Sequence, residues 1–165
     1  MSFKYFLFLA FSLIAFNLSA CSQQTNETKM REVTGKLLSH LPKCDTTQLL
    51  ALYDVSASQI DQENYRNFIK GNILNDCNWF NKITAKYGLP NLEKLSFTKD
   101  LQTQNNIVVL PLLLKEDSTL NLKSSNLYIE FYPDQFFNGK ILRFRVSREI
   151  LQRNETIIAP PTIQQ

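Results

Sequence analysis

The chain has 165 residues, with 18 Lys and Arg, 15 Asp and Glu, and a formal net charge of +3 at pH 7. This length is enough for one domain with a sizeable core, and twelve Phe and six Tyr indicate a globular protein. The near balance of charges argues against nucleic-acid binding, which needs a basic surface for the phosphates.

The N-terminal segment has the parts of a secretion signal. Lys4 supplies a positive charge, and the run from Tyr5 to Phe16 is apolar apart from Tyr5 and Ser12. The run is shorter than the roughly 20 residues that cross the hydrocarbon layer of a bilayer. Small residues follow it, so the sequence predicts a cleavable signal peptide over residues 1–20.

The signal ends in the tetrapeptide LSAC at residues 18–21. This motif resembles the lipobox of bacterial lipoproteins, and the resemblance covers residues 1–22 only. It implies that fatty chains such as palmitate are attached at Cys21, that the chain is cut before this residue and that the new amino terminus is acylated. Several such chains hold a protein durably at a membrane. The alternative is ordinary secretion, with cleavage after Ala20 and an unmodified thiol.

Ser22 follows the lipobox cysteine. In Gram-negative lipoproteins an Asp at this position resembles an inner-membrane retention signal. The resemblance therefore implies that this chain is anchored in the outer membrane and faces the periplasm, rather than in the inner membrane.

Two cysteines remain after the lipobox, Cys44 and Cys77. Because the expected compartment is oxidising, we predict a disulfide between them. The alternatives are two buried thiols or half of a metal site. With His40 as the only histidine, the ligands for a zinc site are too few, so we expect neither a metal nor another cofactor.

The rest of the chain divides into three parts. Residues 21–28 comprise the lipidated cysteine and a polar, flexible tether. A single domain is expected over residues 29–153. The tail, residues 154–165, contains adjacent prolines and is predicted to be extended or disordered.

Apolar residues at helical spacing predict three helices in the first half of the domain. They cover residues 29–41, residues 46–53 after a cap at Asp45 or Thr46, and residues 61–87. Gly88 is expected to end the third helix.

The third helix carries an apolar stripe that polar residues interrupt. The stripe consists of Tyr65, Phe68, Ile69, Ile73, Phe80, Ile83 and Tyr87. Asn72 and Asp76 fall inside it, and Gly71 weakens its middle, which predicts a break near residues 71–76 with Asn75 or Asp76 as a cap. The alternative for Asp76 is a desolvated carboxylate that acts as an acid or a base.

After Pro90 the period changes to that of strands. Three to five strands are predicted, with candidate segments at residues 92–97, 106–115, 126–132 and 141–146. Pro111 places the second at an edge or a bulge, and Asn138-Gly139 predicts a turn before the last. Helices followed by strands predict an α+β domain, with N-terminal helices packed on one face of a curled antiparallel sheet. The element order is similar to that of cystatin-like and nuclear-transport-factor-like folds, an analogy from which no site residue is transferred.

The last predicted hairpin has two different faces. Its apolar face consists of Leu127, Ile129, Phe131, Leu142, Phe144 and Val146, and its other face of Tyr128, Glu130, Tyr132, Arg143 and Arg145. If the helices cover the apolar face, the second face is open, and Tyr and Arg are favoured in protein interfaces. The alternative is a solvated face with a cross-strand Glu–Arg pair.

In the loop, Phe136 and Phe137 either contact a partner or a membrane, or fold back onto the core.

The sequence shows neither a Gly-rich phosphate loop nor a GxSxG elbow. We therefore expect a non-enzymatic lipoprotein of the cell envelope that binds a partner protein or a periplasmic ligand through the Tyr/Arg face. The alternative is a carrier of a small apolar ligand in a pocket between the helices and the sheet, lined by residues such as Tyr65, Phe68, Phe80 and Phe131. A third possibility is a hydrolase that uses Asp76 or another carboxylate.

Overall fold

The computed structural model describes residues 26–55 and 62–151. The predicted signal peptide, Cys21 and the predicted tail from residue 154 lie outside the described residues. Residues 26–28, predicted as part of the flexible tether, belong to a helix instead. The side chain of Asn26 donates to the carbonyl and to the carboxylate of Asp134, both at 3.3 Å, and these bonds hold the first described turn to the domain.

Within the described residues, three α-helices precede the sheet. They are α1 over residues 26–40, which continues into a 3₁₀ turn at Leu41–Lys43, α2 at Thr46–Ala51 and α3 at Gln62–Tyr87. The carboxylate of Asp45 accepts a hydrogen bond from the Gln48 N–H at 3.1 Å, so the predicted cap of the second helix is confirmed.

Helix α3 is continuous over its 26 residues, so the predicted break near residues 71–76 is wrong. Asp76 is not a cap, because it lies in mid-helix and its side chain accepts a hydrogen bond from the sheet. The helix ends where Gly88 was expected to end it. The Gly88 N–H donates to the Thr84 carbonyl at 2.9 Å, and Gly88 has a φ of +82°, which favours glycine.

Four antiparallel strands form one open sheet in the order β1-β2-β3-β4. They are β1 at Ser96–Lys99, β2 at Asn106–Leu113, β3 at Leu122–Phe131 and β4 at Ile141–Ile150. Pro111 lies beyond Val109, the last residue of β2 that pairs with β1, and at a register shift between Pro111 and Leu113. Proline is tolerated in sheets at bulges and where a strand has no neighbour on one side, which explains how an inner strand contains one.

The helices pack on one face of the sheet and make the domain an α+β fold. Residues of β3 alternate between buried and half-buried from Ser125 to Phe131, as expected for a strand with one covered face. Large side chains from both layers are fully buried: Phe80, Phe131, Met30, Leu37, Leu41, Leu49, Ile73, Ile83, Leu110, Leu122, Leu127 and Ile129.

One inward residue of β4 differs from the prediction. Ile141 pairs with Phe131 and is fully buried, whereas Leu142 is half-buried. The register shifts between Glu130 and Phe131, so a bulge changes the alternation of the two faces at the start of β4.

Asp117 fixes the end of α3 to the loop between β2 and β3. Its carboxylate accepts hydrogen bonds from Lys86 at 2.6 Å, Tyr87 at 2.5 Å and the Thr119 hydroxyl at 2.7 Å. These donors, Lys86 first, hold the pKa of Asp117 far below its usual range. Within residues 26–55 and 62–151, no helix is long and apolar enough to cross a membrane.

Candidate functional site

Four of the five residues predicted for a binding face lie together on the open side of the sheet. Tyr128 is opposite Arg145, and Glu130 is opposite Arg143, in the register of β3 with β4. No described helix packs on this side, because the buried side chains of both strands point the other way. We call these four residues the Tyr–Arg face.

Contacts within the Tyr–Arg face hold its side chains in place. Glu130 accepts hydrogen bonds from Arg143 Nε and from Asn105 Nδ2, the second at 2.7 Å. The Arg145 guanidinium carbon lies 5.4 Å from the centre of the Tyr128 ring, which is a cation–π contact. The Glu–Arg pair expected of a solvated face is therefore present, and it lies beside a hollow of about 90 Å³ that Asp100 and Ile107 also line.

Tyr132 does not belong to the Tyr–Arg face. It follows the last residue of β3 and is half-buried, and burial raises the pKa of its hydroxyl. Its carbonyl accepts a hydrogen bond from Asn106 Nδ2 at 3.0 Å. The chain leaves the strand geometry at Phe131, so the alternation that the sequence suggests does not extend to this tyrosine.

A larger cleft begins at the Tyr–Arg face and passes around the free edge of β4 to the first half of α3. Its volume is about 600 Å³. We call it the edge cleft, and its lining residues are Tyr53, Tyr65, Phe68, Ile69, Asn72, Asp76, Thr103, Asn105, Glu130, Leu142, Arg143, Phe144 and Arg145. This volume is within the usual range for small-molecule sites.

The floor of the edge cleft is built on hydrogen bonds to the outer edge of β4, where Ile141 bridges to Tyr53 and the next two inward residues bond to side chains. The carboxylate of Asp76 accepts from the Val146 N–H at 3.0 Å, and the Tyr53 hydroxyl accepts from the Phe144 N–H at 3.4 Å. The rings of Tyr53 and Phe144 lie 5.8 Å apart. Side chains of the helical layer thus satisfy backbone groups that an edge strand otherwise leaves open.

Asp76 is a desolvated carboxylate, with a residue exposure of 8%. Burial raises its pKa, and this effect exceeds the lowering by the Val146 N–H and by the nearby Arg148 and Arg145. The geometry gives Asp76 a structural task, which is to bind the edge of β4.

The aromatic residues named for an apolar-ligand pocket separate into two groups. Phe80 and Phe131 are fully buried in the core, whereas Tyr65 and Phe68 line the edge cleft. Phe68 is 67% exposed, although its spacing on α3 placed it in the buried stripe.

The two phenylalanines of the β3–β4 loop also differ. Phe137 packs edge-on against Phe131 at 5.5 Å, as expected of a residue that folds back, whereas Phe136 is 65% exposed.

Cys44 and Cys77 are free thiols in the structure, with no bond between them. Cys77 is fully buried on α3, and Cys44 is half-buried after the 3₁₀ turn. Burial raises the pKa of Cys77, and the nearby Cys44 thiol raises it further. Asn81 Nδ2 also lies 3.5 Å from the sulfur of Cys44.

Several residues of the edge cleft were not predicted, among them Tyr53, Asn72 and Asn105. They come from three distant parts of the chain, and no local pattern connects them. Among the described residues, no three His, Cys, Asp or Glu side chains gather in a way that would hold a metal ion. No family model, curated protein or solved structure matches this chain.

Proposed function

We propose that this protein is a non-enzymatic lipoprotein of the cell envelope, anchored through Cys21, that binds a partner protein with its Tyr–Arg face. The observation that carries the proposal is the pairing of Tyr128 with Arg145 and of Glu130 with Arg143 on the side of the sheet that the described helices leave open. Tyr and Arg offer large contact areas and hydrogen bonds, and they are the residue types enriched at interface hot spots.

The side chains of the Tyr–Arg face are already held in fixed conformations, which favours binding. Glu130 orients Arg143, and the Tyr128 ring supports Arg145. Less side-chain freedom is then lost when a partner arrives, which lowers the entropic cost of association. The guanidinium groups suit acidic and polar partner atoms, and Ile107 and Tyr128 beside them suit apolar ones.

The proposed lipid anchor would strengthen such binding. Asn26 is hydrogen-bonded to Asp134, which lies in the β3–β4 loop. Cys21 precedes Asn26 by only five residues, roughly 18 Å of extended chain at most. Acylation at Cys21 therefore keeps this end of the domain close to the membrane. Confinement to one surface raises the effective concentration for partners held there.

Photo-crosslinking in the living cell tests this proposal. A benzoylphenylalanine in place of Tyr128 is expected to crosslink one discrete protein, because it keeps an aromatic ring at the centre of the face. The same group in place of Leu74, which is exposed on α3 and lines neither the hollow nor the edge cleft, is expected to give no such product.

The double variant Arg143→Ala/Arg145→Ala tests whether the crosslink depends on the arginines of the Tyr–Arg face. It is expected to reduce the Tyr128 crosslink about tenfold, since hydrogen bonds to charged groups contribute about 1.5–3 kcal/mol each. Arg148→Ala is the matched control, because Arg148 is on the same strand but stacks on Trp79 of α3 at 4.5 Å. Equal crosslinking from residues 128 and 74, or a yield that the double variant leaves unchanged, would exclude the Tyr–Arg face as the binding surface.

A further inference from the structure

We infer that the edge cleft is a second binding site, which takes a small amphipathic anion: a ligand with a carboxylate or phosphate at one end and an apolar body. The inference does not require the protein partner proposed for the Tyr–Arg face, although both sites use Arg143 and Arg145. It depends on three features of the cleft, which are its exposed aromatic wall, its fixed floor and the guanidinium groups at its mouth.

The aromatic wall is the feature that the fold itself leaves unexplained. Phe68 is 67% exposed and lines the cleft together with the half-buried Tyr65. Ile69, one residue further along α3, is buried in the core, so the helix does not need Phe68 for packing. A large apolar side chain open to water beside a cleft is typical of a ligand contact.

The floor is preorganised. Tyr53 and Phe144 are both buried, and their rings pack against each other at 5.8 Å. The hydrogen bonds of Tyr53 and Asp76 to the edge of β4 hold this floor in place. An apolar body that lies against it meets fixed side chains, which is the arrangement that a binding site needs.

The mouth of the cleft supplies the charge. Arg143 and Arg145 project to the same side of β4, and Arg143 uses only its Nε in the ion pair with Glu130. Among the described residues, no carboxylate forms an ion pair with Arg145. Two guanidinium groups with donors to spare are suited to the planar or tetrahedral oxygens of a carboxylate or a phosphate.

These features place the ligand across the edge of β4. Its apolar body lies on the α3 side, between Phe68 and the floor, and its anionic end lies on the side of the open sheet face, at Arg143 and Arg145. Two carboxylates line the cleft: Asp76, on α3, accepts the Val146 N–H, and Glu130, at the mouth, pairs with Arg143 Nε. The remaining guanidinium donors of Arg143 and Arg145 are those that meet the anionic end.

Calorimetric titration of the predicted mature chain, residues 21–165, carrying Cys21→Ser tests the inference, because this variant keeps every described residue and carries neither the lipid nor the apolar signal segment. The probes are decanoate and monodecyl phosphate, each below its micellar concentration, with decanol and decyltrimethylammonium as the neutral and cationic counterparts. We expect both anions to bind at one site, decanol to bind about tenfold more weakly and the cation not to bind. Comparison of decanoate with benzoate then shows whether the cleft prefers a lipid chain or an aromatic acid.

Two variants separate the contributions of the wall and the mouth. Arg143→Gln/Arg145→Gln is expected to weaken decanoate binding about tenfold or more and to leave decanol unchanged. Phe68→Gln is expected to weaken both probes. Its matched control is Phe136→Gln, because Phe136 is 65% exposed and lies outside the cleft.

The outcomes also separate this site from the protein-binding face. Phe68→Gln changes a residue of the edge cleft that does not belong to the Tyr–Arg face, so it should weaken decanoate binding while the partner crosslink from residue 128 is unchanged. If no anion binds, if the cation binds equally well, or if a neutral sugar such as chitotriose binds in its place, the inference is overturned whatever the crosslinking shows.

Discussion

Asp76 shows how one residue resolves a conflict that the sequence contains. A carboxylate in the middle of a buried stripe suggests either a helix break or an acid–base group. In the structure it is neither a cap nor an interruption, because it accepts the Val146 N–H at 3.0 Å and so satisfies a backbone donor on the free edge of β4. The helix stays continuous since the polar atom has a partner in the other layer.

Two substitutions of Asp76 separate the effect of its hydrogen bond on stability from the effect of its charge. Asp76→Ala leaves the Val146 N–H buried without an acceptor, so we expect a loss of about 1–3 kcal/mol in the free energy of unfolding. Asp76→Asn keeps an acceptor oxygen and removes a desolvated charge, so we expect it to be at least as stable as the native chain at pH 7. Urea denaturation followed by circular dichroism measures both.

The contribution of Asp76 to the free energy of unfolding should change with pH in a definite direction. Because the folded-state pKa of Asp76 is raised, the folded state binds more protons than the unfolded state between the unfolded pKa, about 3.9, and the higher folded pKa. Stability of the native chain relative to Asp76→Asn should therefore fall as pH rises through this window and be constant above it. A native chain that gains stability relative to Asp76→Asn as pH rises, or an alanine variant as stable as the asparagine variant, would contradict the assignment.

At the scale of elements, local sequence patterns predicted the helices and turns that depend on a few neighbouring residues. The second and third helices, the stop at Gly88 and the proline at a bulge follow from spacing and turn chemistry, which act over a few residues. The bulge that brings Ile141 rather than Leu142 into the core depends on pairing with β3, and the exposure of Phe68 depends on where α3 leaves the sheet. The edge cleft joins α3, the β1–β2 turn and β4, so no single stretch of sequence predicts it.

The two cysteines lie on two of these elements, Cys44 in the turn after α1 and Cys77 on helix α3. They are free in the structure, and Cys44 is near enough to raise the pKa of Cys77. We expect them to be oxidised in the envelope. Two thiols would then form one disulfide, and two protons and two electrons would pass to a disulfide-bonded oxidant, which becomes a dithiol. Attack should begin at Cys44, because it is half-buried whereas Cys77 is fully buried.

Alkylation before lysis, followed by mass analysis, tests the disulfide. Neither cysteine should react unless the protein is first reduced, and reduction should cost about 3–4 kcal/mol of stability if the chain-entropy description holds. The Cys44→Ser/Cys77→Ser variant is the control, since it should match the reduced native chain and be insensitive to reductant. Two alkylated cysteines in the untreated cell would exclude the disulfide.

At the scale of the whole molecule, the proposed anchor and the proposed binding surfaces belong to the same end of the domain. Asn26, Lys99 and Asn106 all donate to Asp134, with distances of 3.3, 2.7 and 3.1 Å to its carboxylate. These bonds join the start of α1 to the end of the sheet where β4 begins, which is also where the edge cleft lies. A lipid on Cys21 would thus hold that end, rather than the loop at Asp117, towards the membrane.

The last prediction concerns this anchor and rests on residues 18–22 alone. Intact-mass analysis of the cellular product should show a chain that begins at Cys21 and carries fatty chains on both its thiol and its amino group. Cys21→Ala should move the protein from the membrane fraction to the soluble fraction, because the apolar chains that partition into the bilayer are then absent. If the implied sorting holds, Ser22→Asp should shift the native lipoprotein from the outer to the inner membrane, whereas Ser22→Asn, of the same size but uncharged, should not. A product that starts at Met1, or a bare thiol at Cys21, would remove the membrane from the proposed function and, with it, the advantage in effective concentration.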